Sequence, residues 1–294
     1  MSLLKLLFPL SIVIITFLGL AACSPVRLLN SIASAGGGYN LKSVSYGPHH
    51  RQMLDIYTPQ KPSPNEGWPL VVFFYGGSWN SGDRSDYKFV GAALASHGIL
   101  AVIADYRLYP EVRYPDFLVD SALALTYGIE HAAALGGDSK RIFVMGHSAG
   151  AYNAAMLALD PRWLAAATGH LNTELAGWIG LAGPYDFFPT DNPAVQPVFF
   201  HPNYPDKAQP IEFGSAQAIP TFLGTGVNDK LVSPSRSTEA LAAKLHANGT
   251  NVTLHMYEHA SHTTLIGAFS APLRGIAPVR DNVVNFIQTI PRRQ

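Results

Sequence analysis

Apolar residues in this chain fall into short unbroken runs, and between the runs they recur at helical spacing. Residues 70–75, 100–105, 141–145, 178–181 and 219–224 are such runs. Each has the length and continuity of a strand buried on both faces. Residues 117–135, 149–159 and 235–247 carry the intervening helical pattern, with Leu241 and Leu245 four apart in the last. Residues 44–46 and 52–57 come first, with Gly47-Pro48 between them and no room for a helix, which predicts an antiparallel leading hairpin. With a final run at 252–257, the pattern predicts an α/β domain of about eight strands. The sheet should be mostly parallel and covered by helices on both faces. Active sites of open parallel sheets lie at the carboxyl ends of the strands, where Tyr75, Asp105, Ser148 and Asp229 all fall.

The strand and helix signals run on without a break, so 294 residues are read as one catalytic domain, 44–294, behind an N-terminal extension. No fixed-period repeat interrupts them. Hydrophobic residues make up 48% of the chain and charged ones 14%, and twenty basic residues balance twenty acidic. That neutrality removes nucleic acid and polyanions from the expected partners.

The extension changes the picture of where the domain sits. Lys5 precedes an apolar stretch, residues 6–20, that ends in Leu20-Ala21-Ala22-Cys23. The stretch is about 15 residues, short of the 20 or so needed to span a bilayer, and reads as an export signal, residues 1–22. Leu20-Ala21-Ala22-Cys23 resembles a bacterial lipobox, which implies that Cys23 is lipidated and becomes the first mature residue. A cleaved secretory signal and an uncleaved anchor are the alternatives. Residues 23–43, with Gly36-Gly37-Gly38, lack periodicity and read as a tether. The expected location is the bacterial cell envelope, on a periplasmic or extracellular membrane face. Cys23 is the single cysteine, so no intrachain disulfide is available. Asn248-Gly-Thr and Asn251-Val-Thr match a glycan acceptor pattern but are incidental in a bacterial cell.

The candidate chemistry centres on Gly146-His147-Ser148-Ala149-Gly150, placed between an apolar run and an Ala/Leu-rich helical stretch. This is the layout of a nucleophile elbow, in which a sharp turn exposes a serine between two small residues. Ser148 is the candidate nucleophile. In chain order an acid and then a histidine should follow. Asp229, in the Gly-containing loop after residues 219–224, is the candidate acid; helix capping near Pro234 is its alternative role, and Asn228 is a weaker competitor. His262, in the loop after residues 252–257, is the candidate base, with His259 and His255 taken as surface or strand positions. Oxyanion donors are expected from Ala149 and from Gly76, Gly77 and Ser78 after the run 70–75.

With these residues in view, the chain resembles the esterase/lipase group of α/β-hydrolases that includes hormone-sensitive-lipase-type carboxylesterases and arylformamidase-like enzymes. The resemblance covers roughly residues 46–287. It is strengthened by Asp105-Tyr-Arg-Leu-Tyr-Pro-Glu-Val-Arg-Tyr-Pro115, similar to the group's D-Y-R-L-x-P-E-x-x-x-P element. It implies an α/β-hydrolase fold and hydrolysis of carboxylic esters through a Ser-His-Asp triad and an acyl-enzyme; the region before Tyr46 is too short for a large helical cap domain, which favours small to medium acyl or aryl esters. An amidase of the arylformamidase type and a non-catalytic binding lipoprotein on the same scaffold are the alternatives. Where the group usually begins its oxyanion loop with His, this chain has Tyr75, and Ser78 stands where hormone-sensitive-lipase-type enzymes usually have Gly.

Two segments remain open to more than one reading. Asp105, Arg107, Glu111 and Asp116 either hold the loop after the fourth strand or form a second charged site. Residues 183–220, rich in Pro and aromatics, either cover the cleft or pack as a surface loop; they lack the long amphipathic pattern of a mobile lid. No cluster of His, Cys and carboxylates has metal-ligand spacing and no nucleotide fingerprint opens a helix, so no metal or cofactor is expected, and the partner is a small-molecule ester.

Overall fold

The computed structural model describes residues 30, 38–214 and 219–293. The signal-like segment 1–22, Cys23 and most of the proposed tether lie outside the described residues. Eight strands form one sheet: β1 (Tyr39–Ser45), β2 (Met53–Pro59), β3 (Trp68–Phe74), β4 (Leu100–Ala104), β5 (Gly137–His147), β6 (Gly177–Leu181), β7 (Thr221–Gly226) and β8 (Val252–Tyr257). Their order is β1-β2-β4-β3-β5-β6-β7-β8. β1 with β2 and β2 with β4 are antiparallel, and the remaining neighbours are parallel. β1 starts at Tyr39, so residues 39–43, expected in the tether, are strand. They escaped the pattern because β1 is an exposed edge whose alternation, Tyr39-Asn40-Leu41-Lys42, is short and breaks at Ser43.

Seven α-helices connect or flank these strands among the described residues: α1 (Lys88–Ser96), α2 (Asp116–His131), α3 (Ala149–Leu159), α4 (Arg162–Thr168), α5 (Ala240–Ala247), α6 (His262–Gly267) and α7 (Val279–Thr289). The helix expected over 117–135 ends at His131 and continues as a 3-10 turn, Ala133–Leu135, closed by Gly136 in the left-handed region. The one expected over 235–247 opens as a wide turn, Ser235–Glu239, before α5. Register shows that both faces of the sheet are covered. Val72 pairs with Val144, and Gly128 of α2 lies against the Val72 side chain. Val71 pairs with Phe143 on the opposite face, where Phe143 meets Phe286 of α7 edge-on. Tyr57 is in line with Ala101 and Val71 on that second face, and Gly91 of α1 packs on its ring.

β3, β4 and the inner half of β5 are fully buried and nearly all apolar. The chain leaves β3 for β4 on one side and returns to β5 on the other, so the strand order reverses at β3. The crevice of an open α/β sheet lies at such a reversal, beyond the carboxyl ends of the strands. Here those ends carry Tyr75-Gly76-Gly77 and Ser148.

Candidate active site

β5 ends at His147, and α3 begins at Ala149, leaving Ser148 alone on the turn with φ 54° and ψ −123°. A non-glycine residue there is strained and is held by its surroundings. The Ser148 N–H donates to the Leu181 carbonyl of β6 at 2.9 Å. The flanking glycines allow the close approach: a Cβ on Gly150 would lie 2.0 Å from the Phe74 carbonyl oxygen, and one on Gly146 2.1 Å from that of Gly150.

His262 Nε2 is 2.8 Å from Ser148 Oγ, and its Nδ1 is 2.7 Å from Asp229 Oδ2. Asp229 is on the turn after β7, its side chain fully buried. Its second oxygen, Oδ1, accepts the main-chain N–H groups of Leu231 and Val232 at 2.8 and 3.1 Å. Burial by itself would raise this carboxyl, but the hydrogen bond and charge of His262, with those two N–H groups, outweigh it and hold it below the usual carboxylate range. Asp229 therefore caps its own turn rather than a helix at Pro234, while Asn228 beside it is exposed. His262 is the first residue of α6 rather than part of a loop. Ser261 caps that helix, its Oγ accepting Thr264 N–H while Thr264 Oγ1 accepts Ser261 N–H. That Ser-x-x-Thr pattern was visible in the sequence, but six residues are too few for a periodic signal. His259 is exposed, and His255 stacks on Phe222 and Tyr257 beside Asn282, away from this chain of contacts.

His147 has a part that its position inside the motif did not reveal. Its Nε2–H donates to the His262 carbonyl at 3.0 Å, which leaves Nδ1 as an acceptor, buried and without a partner. The two rings lie 5.0 Å apart. Burial first, then the neighbouring His262, pushes His147 down to about 3, so it is neutral and fixed in one tautomer.

Gly76 packs directly over the elbow, where a Cβ would be 2.8 Å from Ser148 Cβ. Gly77, Ser78 and Trp79 follow with φ of 135°, 51° and 58°, a run of left-handed backbone that turns the loop back over Ser148. Tyr75, in place of the usual His, is fully buried between Tyr106 and Tyr87, with ring centroids 4.9 and 5.6 Å away. Its hydroxyl donates to Asp105 Oδ1 at 2.8 Å and accepts from Arg51 Nη2 at 2.6 Å. Burial and Asp105 push this phenol well above its ordinary value, so it remains a donor. Asp105 is thus beneath the loop, ion-paired with Arg84, rather than in the cleft. The other charged residues after β4 are divided among separate partners: Arg107 chelates Asp120, and Glu111 meets His49.

A cavity of about 290 Å³ opens over Ser148 and His262. The 183–220 segment forms one of its walls through Pro184, Phe187, Pro189 and Val195, with Asp186 beside them, and so covers the cleft. Phe187 and Phe199 of that segment pack on Trp79 at 5.9 and 4.9 Å, making an aromatic end to the cavity. At the rim, Arg236 pairs with Asp186 and donates to the Phe188 carbonyl. Sequence reasoning missed Arg236, Asp186 and Val232 as lining residues, because only chain reversal brings 184–195 and 231–237 to face each other. Among the described residues no group of three or more His, Cys, Asp or Glu has the geometry to hold a metal ion.

Comparison with known proteins agrees with this architecture. The BD-FAE family model matches residues 54–245. A probable isoprenylcysteine alpha-carbonyl methylesterase of Oryza sativa subsp. japonica is 29% identical over 271 residues, covering 85% of this chain and 62% of its own length. The esterase LipC of Mycobacterium tuberculosis is 26% identical over 70% of this chain and 55% of its own. The chain therefore spans less than two thirds of the length of these curated relatives. Among solved structures, a hyperthermophilic esterase from Pyrobaculum calidifontis superposes with a TM-score of 0.70 at 21% identity, over 90% of this chain and 89% of that one. A thermophilic esterase from Thermogutta terrifontis, with butyrate bound, does so with a TM-score of 0.68 at 22% identity, over 87% and 97%. These likenesses establish the α/β-hydrolase fold.

Proposed function

The chain belongs to the BD-FAE family, and from that premise we propose that it is a serine carboxylesterase acting on small to medium esters. The observation that carries the reading is the continuous hydrogen-bond chain Ser148–His262–Asp229 at the floor of the cavity. The esterase names of its curated relatives and structural neighbours support it.

His262 Nε2 takes the Ser148 hydroxyl proton as Oγ attacks the ester carbonyl. Asp229, kept anionic by its three donors, fixes Nδ1–H and stabilises the imidazolium that forms. The developing oxyanion is received by the main-chain N–H of Ala149, at the first turn of α3 where no intrahelical acceptor exists, and by those of the 76–78 loop. His262 then returns the proton to the leaving alcohol, and the ester bond breaks to leave the acyl group on Ser148. Water, deprotonated by the same nitrogen, releases the acid and restores the serine.

The cavity is at the small end of ligand pockets, and its aromatic end at Trp79 and Phe187 stops a long chain, which favours short acyl groups. The plant relative, named as a probable isoprenylcysteine alpha-carbonyl methylesterase, makes a methyl ester a second substrate to try. The anchored form, with residues 1–22 removed, Cys23 acylated and the domain held at a bacterial envelope membrane, rests on Leu20-Ala21-Ala22-Cys23. Cys23→Ala should move the protein out of the membrane fraction.

The test is hydrolysis of p-nitrophenyl esters from acetate to palmitate beside Ser148→Ala, with fluorophosphonate labelling of both proteins. Turnover of short chains and labelling, both lost in the variant, are expected. Absence of both in the wild type would favour a binding protein on this scaffold.

A further inference from the structure

Arg51 is in the turn between β1 and β2, three residues before the stretch that the family model matches. Its side chain nevertheless reaches the loop that follows β3. Nη2 donates to the Tyr75 hydroxyl at 2.6 Å, where that loop starts, and to the Gly82 carbonyl at 2.9 Å, where it ends. Nε donates to the Tyr106 carbonyl at 2.9 Å, and the Tyr106 hydroxyl in turn donates to the Tyr75 carbonyl at 2.8 Å. One guanidinium therefore holds both ends of residues 75–82.

The loop is shaped to be closed in this way. Gly82 has φ 107° and folds back onto the Tyr75 ring, where a Cβ would be 2.7 Å from Cε2. Inside it, the N–H groups of Asn80 and Ser81 both donate to the Gly77 carbonyl, at 3.0 and 3.1 Å. Its middle is anchored through Trp79, whose carbonyl accepts Tyr109 N–H at 2.8 Å and whose Nε1 donates to Asn153 Oδ1 at 3.0 Å, so what remains to be fixed is the path of the chain at its two ends. Those ends are where Arg51 acts. Asp105 pairs most closely with Arg84; Arg51 Nη2 is 3.7 Å from the same carboxylate, a longer contact than its bonds to the Tyr75 hydroxyl and the Gly82 carbonyl.

We propose that Arg51 is a positioning residue for the oxyanion loop, tying Tyr75 to Gly82 and thereby setting where the N–H groups of residues 76–78 point over Ser148. This rests on the reading of that loop as oxyanion donor. Misplacement of about 1 Å at a reacting centre is enough to cost about 100-fold in rate. Lysine cannot substitute, because one ammonium cannot reach the Tyr106 carbonyl, held here by Nε, together with the Tyr75 hydroxyl and Gly82 carbonyl, held by Nη2.

The experiment uses the protein as isolated, with Arg51→Ala and Arg51→Lys. It measures kcat and KM on p-nitrophenyl acetate, with and without free guanidinium ion at a non-denaturing concentration, and amide hydrogen exchange across residues 76–82. The expected result is a fall in kcat of about 100-fold in Arg51→Ala with KM within about twofold. Exchange confined to the loop should be faster, and guanidinium should restore both readouts in part. Arg51→Lys should remain impaired and unrescued. A kcat within about twofold of wild type, or loss of kcat, KM and thermal stability together with no rescue, would overturn the proposal. If the wild type hydrolyses no ester, the exchange arm still decides: faster exchange at 76–82 that guanidinium suppresses keeps the clamp and removes only the esterase reading, while unchanged exchange removes the clamp as well.

Discussion

His147→Gln should make the fold more tolerant of acid. His147 is buried, its Nδ1 has no partner, and burial with the adjacent His262 holds it at about 3 against an ordinary 6.5. The unfolded chain therefore binds a proton at this residue more readily than the folded one. Its contribution to stability is complete above pH 6.5 or so and is lost as pH falls, until the folded value near 3 is reached. Each pH unit in that window costs about 1.4 kcal/mol, so between pH 7.5 and 4.5 this one ring removes about 2.7 kcal/mol. Gln places an Nε2–H where the imidazole donates to the His262 carbonyl and titrates nowhere in the range, so the bond is kept and the proton linkage removed. Loss of ring packing should lower stability at pH 7.5 by about 1 kcal/mol, independent of pH. Urea unfolding of both proteins at several pH values, followed by tryptophan fluorescence, reads the difference. The other ionisable side chains are present in both proteins, so the difference between the two curves reports position 147. Equal losses for the two proteins from pH 7.5 to 4.5 would refute the argument, since His147 would then be protonated or hydrated in the native state.

Gly150→Ala would set a Cβ 2.0 Å from the Phe74 carbonyl oxygen and 2.6 Å from that of Tyr75, both main-chain atoms. A loss of more than about 3 kcal/mol is expected in denaturant unfolding, or failure to accumulate folded protein. Gly76→Ala meets Ser148 Cβ at 2.8 Å on a more adaptable loop. There kcat should fall about 100-fold while the unfolding midpoint moves little. Asp229→Asn keeps an oxygen for Leu231 and Val232 but loses the charge, so kcat should drop by about 10³- to 10⁴-fold in a folded protein. Because the Asp229 carboxyl is held below 3.8, its contribution to stability is present above that value and lost as pH falls through the lower folded one. Acid unfolding curves of the Asn variant should lack that component below pH 4 or so.

Much of the architecture was legible in the sequence because it is written locally. β3, β4 and the inner half of β5 are buried on both faces, so their apolar runs are continuous, and Gly146 and Gly150 flank Ser148 because a Cβ at either would strike backbone. Asp229 and His262 followed from the order in which a chain returns to the carboxyl end of such a sheet. What long-range contact decides was hidden. β1 pairs only on one side and its alternation breaks at Ser43, α6 is too short to show a period, and nothing near Arg51 in sequence indicates that its guanidinium spans Tyr75 and Gly82. His147 stands within the most conspicuous motif of the chain, yet its bond to the His262 carbonyl crosses 115 residues. Hydrophobic period and turn chemistry are properties of neighbouring residues and can be read in order. The donors that support a strained loop come from whichever segment the sheet order brings beside it, and that order is set by the packing of the whole domain.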